Sequence, residues 1–315
     1  MRWVAAAASV LLLVGCAPVA TPSPEEPTIA EFAIDQDFPD PDLIQVDGTY
    51  YAYATNGPGF NIRMATSSDL ETWEVATTDP LPSLPDWALP GKTWAPDVSE
   101  FSPGNFVMYY TVANSDPAVQ CIGVATATSP TGPFEPQGDR PLVCPADDGG
   151  AIDPSTFVDD DGTRYLLFKN DGNCCGLDTY LQIVELSENG LSFAGDMTKL
   201  VKQDQAWEGN LVEAPTLVKR DGKYVLFYSA NDYGSENYAT GYATADAPTG
   251  PFTKADSPFL TTDILDGEYL GPGGQDVITK ADGSDVIVFH SWDEAYVLRG
   301  MNVLPLTWTD GVPSL

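Results

Sequence analysis

Short apolar stretches alternate with polar turns along most of the chain, and they recur as one unit. Each unit begins at a Pro or its equivalent, runs through a short apolar strand, turns at a Gly and enters an aromatic strand. The copies are Asp40-Pro41-Asp42-Leu43-Ile44 with Asp47-Gly48 and Tyr50-Tyr51-Ala52-Tyr53, then Ala95-Pro96-Asp97-Val98 with Pro103-Gly104 and Phe106 to Tyr110. Three more follow: Asp153-Pro154-Ser155 with Asp161-Gly162 and Tyr165 to Phe168, Ala214-Pro215-Thr216 with Asp221-Gly222 and Tyr224 to Tyr228, and Gln275-Asp276-Val277 with Asp282-Gly283 and Val286 to His290. Taking Pro41, Pro96, Pro154, Pro215 and Gln275 as anchors, the spacings are 55, 58, 61 and 60 residues. The aromatic strand is apolar at successive rather than alternate positions, which predicts cover on both faces. Each unit has a second half, seen in Ala65-Thr66, Ala125-Thr126 and Ala243-Thr244, that supplies outer strands. A hairpin plus two outer strands makes one four-stranded blade, so five copies predict an all-β, five-bladed β-propeller. A β-helix has far shorter rungs, and a sandwich has no reason to repeat at this period.

Composition agrees with this pattern. The 28 Gly, 27 Pro, 7 Trp, 14 Tyr and 13 Phe among 315 residues suit short strands and tight turns, and exclude a helix bundle. The formal charge of −32 excludes nucleic acid as a partner, since a phosphate backbone would be repelled. With 43% hydrophobic and only 19% charged residues, the chain can bury a full core. The acidity therefore reads as a solvated surface, and a neutral ligand fits best.

The N-terminus changes the expected location. After Arg2, the apolar run Val4 to Val14 spans about 16 Å as a helix, half of a bilayer core. It reads as an export signal, and its end, Leu13-Val14-Gly15-Cys16, resembles a bacterial lipobox. The expected division is a lipoprotein signal peptide at 1–15, a Pro/Thr/Ser-rich tether at 16–34 and a catalytic propeller at 35–315. Membrane attachment would run only through lipidated Cys16, giving an exported, membrane-anchored monomer; an ordinary secretory signal is the alternative. Export makes Cys121, Cys144, Cys174 and Cys175 disulfide candidates. The adjacent pair either bridge each other or pair separately with the first two. One His and no CxxC spacing speak against zinc.

The candidate chemistry lies just before the anchors. Inner strands of a propeller converge on its axis, so the preceding residues Asp40, Ala95, Asp153, Ala214 and Gly274 face one channel mouth, with Glu213 one step earlier in the fourth unit. Clustered carboxylates raise one another's pKa and cost stability unless something uses them. Asp42, Asp97 and Asp276 share a later strand position and are expected to make structural hydrogen bonds.

The Asp40-Pro41 segment, Trp94-Ala95-Pro96-Asp97, Ala151-Ile152-Asp153-Pro154, Val212-Glu213-Ala214-Pro215, Gly271-Pro272-Gly273 and the closing Arg299, Trp308, Asp310 and Gly311 together resemble glycoside hydrolase family 43 from about Phe38 onward. The resemblance implies an inverting hydrolase of arabinose- or xylose-containing plant polysaccharides such as arabinan and arabinoxylan, an α-L-arabinofuranosidase or arabinanase. A β-xylosidase and a non-catalytic sugar-binding surface lipoprotein are the alternatives. It makes Asp40 the general base, Glu213 the general acid and Asp153 a third acid whose charge raises the pKa of Glu213. Trp94 resembles the family's sugar platform, with core packing as its alternative. Arg299 matches an arginine that either bonds sugar hydroxyls or pairs with a cavity acid. No cofactor is required. Many members carry a His after Gly-Pro-Gly near a central calcium, whereas here Gly274 and Gln275 follow, which speaks against that ion. His290, the only His, reads as a hydrogen-bonded core residue.

Overall fold

The computed structural model describes residues 1, 3 and 28–315; Cys16 and the apolar run before it lie outside the described residues. Among the described residues twenty strands form five antiparallel sheets of four, each in sequence order. Blade one holds β1 (Asp42–Val46), β2 (Thr49–Ala54), β3 (Arg63–Ser67) and β4 (Glu74–Val75). Blade two holds β5 (Ala88–Ser102), β6 (Asn105–Asn114), β7 (Gln120–Ala127) and β8 (Glu135–Gln137). Blade three holds β9 (Ala151–Val158), β10 (Arg164–Asn170), β11 (Tyr180–Glu185) and β12 (Thr198–Lys202). Blade four holds β13 (Val212–Arg220), β14 (Lys223–Ala230), β15 (Ala239–Ala245) and β16 (Thr253–Lys254). Blade five holds β17 (Leu270–Thr279), β18 (Asp285–Trp292), β19 (Arg299–Thr309) and β20 (Val312–Ser314). The repeat thus maps one unit to one blade. Its Asp-Gly turns join the first two strands of a blade, as at Asp47-Gly48 and Asp221-Gly222, where both residues take positive φ and match the right-handed strand twist.

The core is divided among the blade junctions. Tyr53, Met64, Val98, Met108 and Phe134 fill the junction of blades one and two, and Phe101, Tyr109, Ile122, Leu166 and Phe168 that of two and three. Leu167, Ile183, Leu217 and Tyr228 fill the next. Phe227, Leu260 and Phe289 lie between blades four and five, and Phe38, Leu43, Val288 and Met301 between five and one. Each second strand is clamped between two such clusters, which is why its sequence is apolar without alternation. The outermost strands are short, which limits the unpaired edge each blade exposes.

The last residues of the expected tether are held by the propeller. Ala30 N–H donates to the Glu268 carbonyl, Ala33 and Ile34 bond to Met301, and Ile34 is buried. These contacts fasten the entering chain onto β19 and bring blade five against blade one. The cysteines are joined as Cys121 with Cys144 and Cys174 with Cys175.

One backbone device, repeated in four of the five blades, builds the channel mouth. In β5, β9, β13 and β17 two residues oppose one on the neighbouring strand: Ala95-Pro96, Asp153-Pro154, Ala214-Pro215 and Gly274-Gln275. This is a β-bulge, which bends the strand and re-aims its side chains. The first residue of each pair has positive φ, 40°, 55°, 48° and 58°, as does Asp40 before β1 at 55°. Such conformations cost energy for non-Gly residues and persist only where the surroundings enforce them. Gly274 has a second reason to be Gly: a Cβ there would lie 2.6 Å from the His290 ring and 2.8 Å from Asp40 Oδ1.

Candidate active site

The bulges hand their N–H groups to the preceding blade. Asp40 N–H donates to His290 Nδ1 (3.0 Å), Ala95 N–H to Thr55 Oγ1 (2.9 Å), Asp153 N–H to Thr111 Oγ1 (3.0 Å) and Gly274 N–H to Ser229 Oγ (2.8 Å). Thr55, Thr111, Ser229 and His290 each follow the turn Gly of their blade by seven residues. His290 is thus the core residue expected from sequence. Its Nδ1 accepts, which leaves the proton on Nε2, and burial together with the Arg299 charge holds the ring neutral by pushing its pKa well down.

Blade three breaks this rule. Lys169 stands at the same position, fully buried, and donates instead to Glu213 Oε2 at 2.8 Å, with Asp171 at 3.9 Å. The Ala214 N–H that it leaves unserved donates to Asp153 Oδ2 at 3.0 Å. Tyr238, in the segment leading into β15, donates its phenol to Glu213 Oε1 at 2.8 Å. Burial opposes the Lys169 charge, but Glu213 and Asp153 outweigh it and raise its pKa. Tyr238 stays protonated because burial and the Glu213 charge push its pKa far up.

Asp40, Asp153 and Glu213 share a pocket of about 330 Å³ with Trp94, Arg299, Lys169 and Tyr238. Trp94 is half-buried and faces this pocket rather than the junction clusters. Asp40 Oδ2 accepts from Thr55 Oγ1 at 2.6 Å, and its Oδ1 lies 3.8 Å from Arg299 Nη1. Asp153 is pushed up to about 8, first by burial and then by the Glu213 charge, with Lys169 partly offsetting both. Burial and the neighbouring Glu213 charge therefore favour the protonated form of Asp153 in the free protein.

Below the mouth the axial channel narrows to about 40 Å³ between the anchors and Asp42, Asp97 and Asp276. These three clasp neighbouring blades: Asp42 accepts Val98 N–H (2.9 Å), Asp97 accepts Thr156 N–H (2.8 Å) and Asp276 accepts Leu43 N–H (3.0 Å). Gln275 replaces the anchor Pro because its side chain cross-links blades, accepting from Ser229 and donating to the Ala214 carbonyl. Among the described residues no His, Cys, Asp and Glu trio is arranged to hold a metal, and Gly274 stands after the Gly-Pro-Gly. No step below is routed through a metal ion.

Sequence reasoning missed Lys169, Tyr238 and Thr55. Lys169 carried a readable signal, being a charged residue at the repeat position seven after the turn Gly. Tyr238 carried none, since the loop between the second and third strands differs in length and sequence from blade to blade.

The family model described as Glycosyl hydrolases family 43 matches residues 32–313. The chain is 30% identical over 270 residues to a protein of Aspergillus niger named beta-D-galactofuranosidase, covering 80% of this chain and 73% of that one. It is 25% identical to extracellular endo-alpha-(1->5)-L-arabinanase 1 of Bacillus subtilis, covering 87% and 86%. A solved structure named as an endo-1,4-beta-xylanase of Bacteroides thetaiotaomicron superposes with a TM-score of 0.76 at 30% identity, covering 90% of this chain and 95% of that one.

Proposed function

The chain belongs to glycosyl hydrolase family 43, and from that premise we propose that it cleaves α-L-arabinofuranosyl linkages of arabinan- or arabinoxylan-type substrates with inversion. The observation that carries the reading is the set of three acids at one channel mouth, each with different partners. A base with Arg299 and Thr55, and an acid gripped by Lys169 and Tyr238, divide the work of one hydrolysis. Furanose specificity is supported by two relatives, one named for galactofuranoside hydrolysis and one for a 1→5 arabinan. A 1→5 bond uses O5, so the sugar ring must close through O4 as a furanose.

In this mechanism Asp40 takes a proton from water as its oxygen attacks the anomeric carbon. The bond from that carbon to the leaving oxygen breaks, and Glu213 delivers its proton to that oxygen. The two groups must stand roughly 6.5–9.5 Å apart to leave room for the water. Asp153 and Glu213 share one proton near neutral pH, so their titration belongs to the pair; the state with the proton on Glu213 reacts. Asp153 is the proton-sharing partner in this account. Trp94 supplies an apolar face for the sugar ring.

The test is a panel of debranched arabinan, arabinoxylan, aryl α-L-arabinofuranoside and aryl β-D-xyloside with products identified. Release of arabinose or arabino-oligosaccharides is expected. Faster turnover of the xyloside would replace the furanoside assignment with the β-xylosidase alternative.

Export and acylation at Cys16 complete the proposal, supported by the apolar run before it and the relative named extracellular. Palmitate should label the expressed wild type and not Cys16→Ser. An unlabelled, freely secreted wild type would overturn the anchor.

A further inference from the structure

We propose that the ring of Tyr233 is the platform for the leaving-group side of the substrate, the sugar unit beyond the scissile bond. This rests on the reading of Glu213 as the general acid. Tyr233 lines the catalytic pocket yet is 53% exposed, and it belongs to none of the five core clusters. An aromatic ring left open at a pocket wall offers apolar area that a neutral sugar can cover.

The ring is held in place before any substrate arrives. Trp292 Nε1 donates to the Tyr233 carbonyl at 2.7 Å, so blade five grips the loop from blade four. The loop is tied internally by Gly234 N–H to Asp232 Oδ1 (3.0 Å) and Ser235 Oγ to the Asp232 carbonyl (3.0 Å). The Ser235 carbonyl lies so close to Gly271 that a Cβ there would sit 2.5 Å away. A platform fixed this way loses little freedom on binding. The Arg299 guanidinium stands over the Tyr233 ring at 5.2 Å and over the Trp292 ring at 5.6 Å, while reaching toward Asp40. Cation–π attraction therefore fixes the ring against the same arginine that faces the base.

Position assigns the ring to the leaving side. Val212 pairs with Ala230 and Glu213 with Ser229 across β13 and β14, so the chain reaches Tyr233 four residues after passing beside the acid. The leaving oxygen must lie within hydrogen-bond reach of Glu213, and the sugar attached to it emerges over blade four. Trp94, on blade two, stands on a different wall.

The test compares wild type, Tyr233→Ala and Tyr233→Trp on arabinobiose to arabinotetraose and on methyl α-L-arabinofuranoside, whose leaving group has no ring to stack. For Tyr233→Ala the kcat/KM on oligosaccharides, relative to that on the methyl glycoside, should fall roughly 3- to 10-fold, mainly through KM. Tyr233→Trp should restore the ratio. Equal losses on both substrates would overturn the platform and make Tyr233 a positioning residue acting through Arg299. If wild type cleaves none of these substrates, the furanoside reading falls and the platform for these sugars falls with it; if it cleaves both and the ratio is unmoved, only the platform falls. The melting temperatures of the variants confirm that the fold is intact.

Discussion

The acids at the channel mouth and the acids beneath them lie on the same inner face, Asp40 two residues before Asp42, yet they are neutralised differently. At the mouth, Glu213 faces an ammonium and a phenol, and Asp40 faces a guanidinium and a hydroxyl. Beneath, Asp42, Asp97 and Asp276 each take a backbone N–H from a neighbouring blade. Burial lifts Asp97 to about 7 and Asp276 to about 6, and lifts Asp42 well above its usual range with help from both neighbours. Burial favours the protonated form in the lower set and in Asp153, whereas cations face Asp40 and Glu213. The upper set opens on about 330 Å³ and the lower on about 40 Å³, so only the upper can admit a sugar. Position on a repeat thus places a carboxylate, and its counter-ion and access decide whether it does chemistry.

The largest effects should come from the mouth. Asp40→Ala and Glu213→Ala should each lower kcat by roughly 10²–10⁴-fold, while Asp97→Asn leaves turnover near wild type. Aryl arabinofuranosides with good leaving groups should partly spare Glu213→Ala, because such groups need little protonation. Equal losses across leaving groups would remove Glu213 from the acid role.

Two substitutions sharpen the counter-ion argument with opposite signs. Lys169→Met leaves the Glu213 carboxylate buried without its cation, at a cost of about 3–5 kcal/mol of stability. That loss should be greatest at alkaline pH, and the alkaline limb of kcat/KM should move up as Glu213 holds its proton longer. Asp153→Asn removes the carboxyl that shares the proton, and with it the negative charge Asp153 bears when Glu213 is protonated, so the same limb should move to lower pH. Shifts of the same sign, measured on one substrate, would break the shared-proton account.

The smallest effect is expected beneath the mouth. Asp97 and Asp276 have folded pKa values above their unfolded ones, so their contribution is present at low pH and is lost as pH rises from about 4 to 7. Melting temperature should fall over that window, and Asp97→Asn should flatten the fall by on the order of 2–4 °C. A melting curve as pH-sensitive in the variant as in wild type would show that Asp97 does not carry this proton.

The repeat made the five blades legible, because each junction needs the same both-sided apolar strand. It also made Asp40 and Asp153 legible, since the bulge that aims them is part of the period. Glu213 was legible one residue earlier, at the position that also holds Trp94 and Ile152, which line the same pocket. The partners were harder to see. Lys169 reads as an ordinary strand residue until its neighbours in the ring are known to be Thr, Ser and His. Tyr233 and Tyr238 lie on the loop between the second and third strands, whose length and sequence vary from blade to blade, so no period registers them. The proton on Asp153 was hidden for a different reason: sequence supplies the acids but not the burial that decides which of them keeps a proton.

The central claim is that Asp40 and Glu213 act on opposite faces of the anomeric carbon in one displacement by water. Proton NMR of the first product released from an aryl α-L-arabinofuranoside, recorded before mutarotation, tests it most directly. The account predicts β-L-arabinofuranose as the initial anomer; initial release of the α-anomer would contradict it.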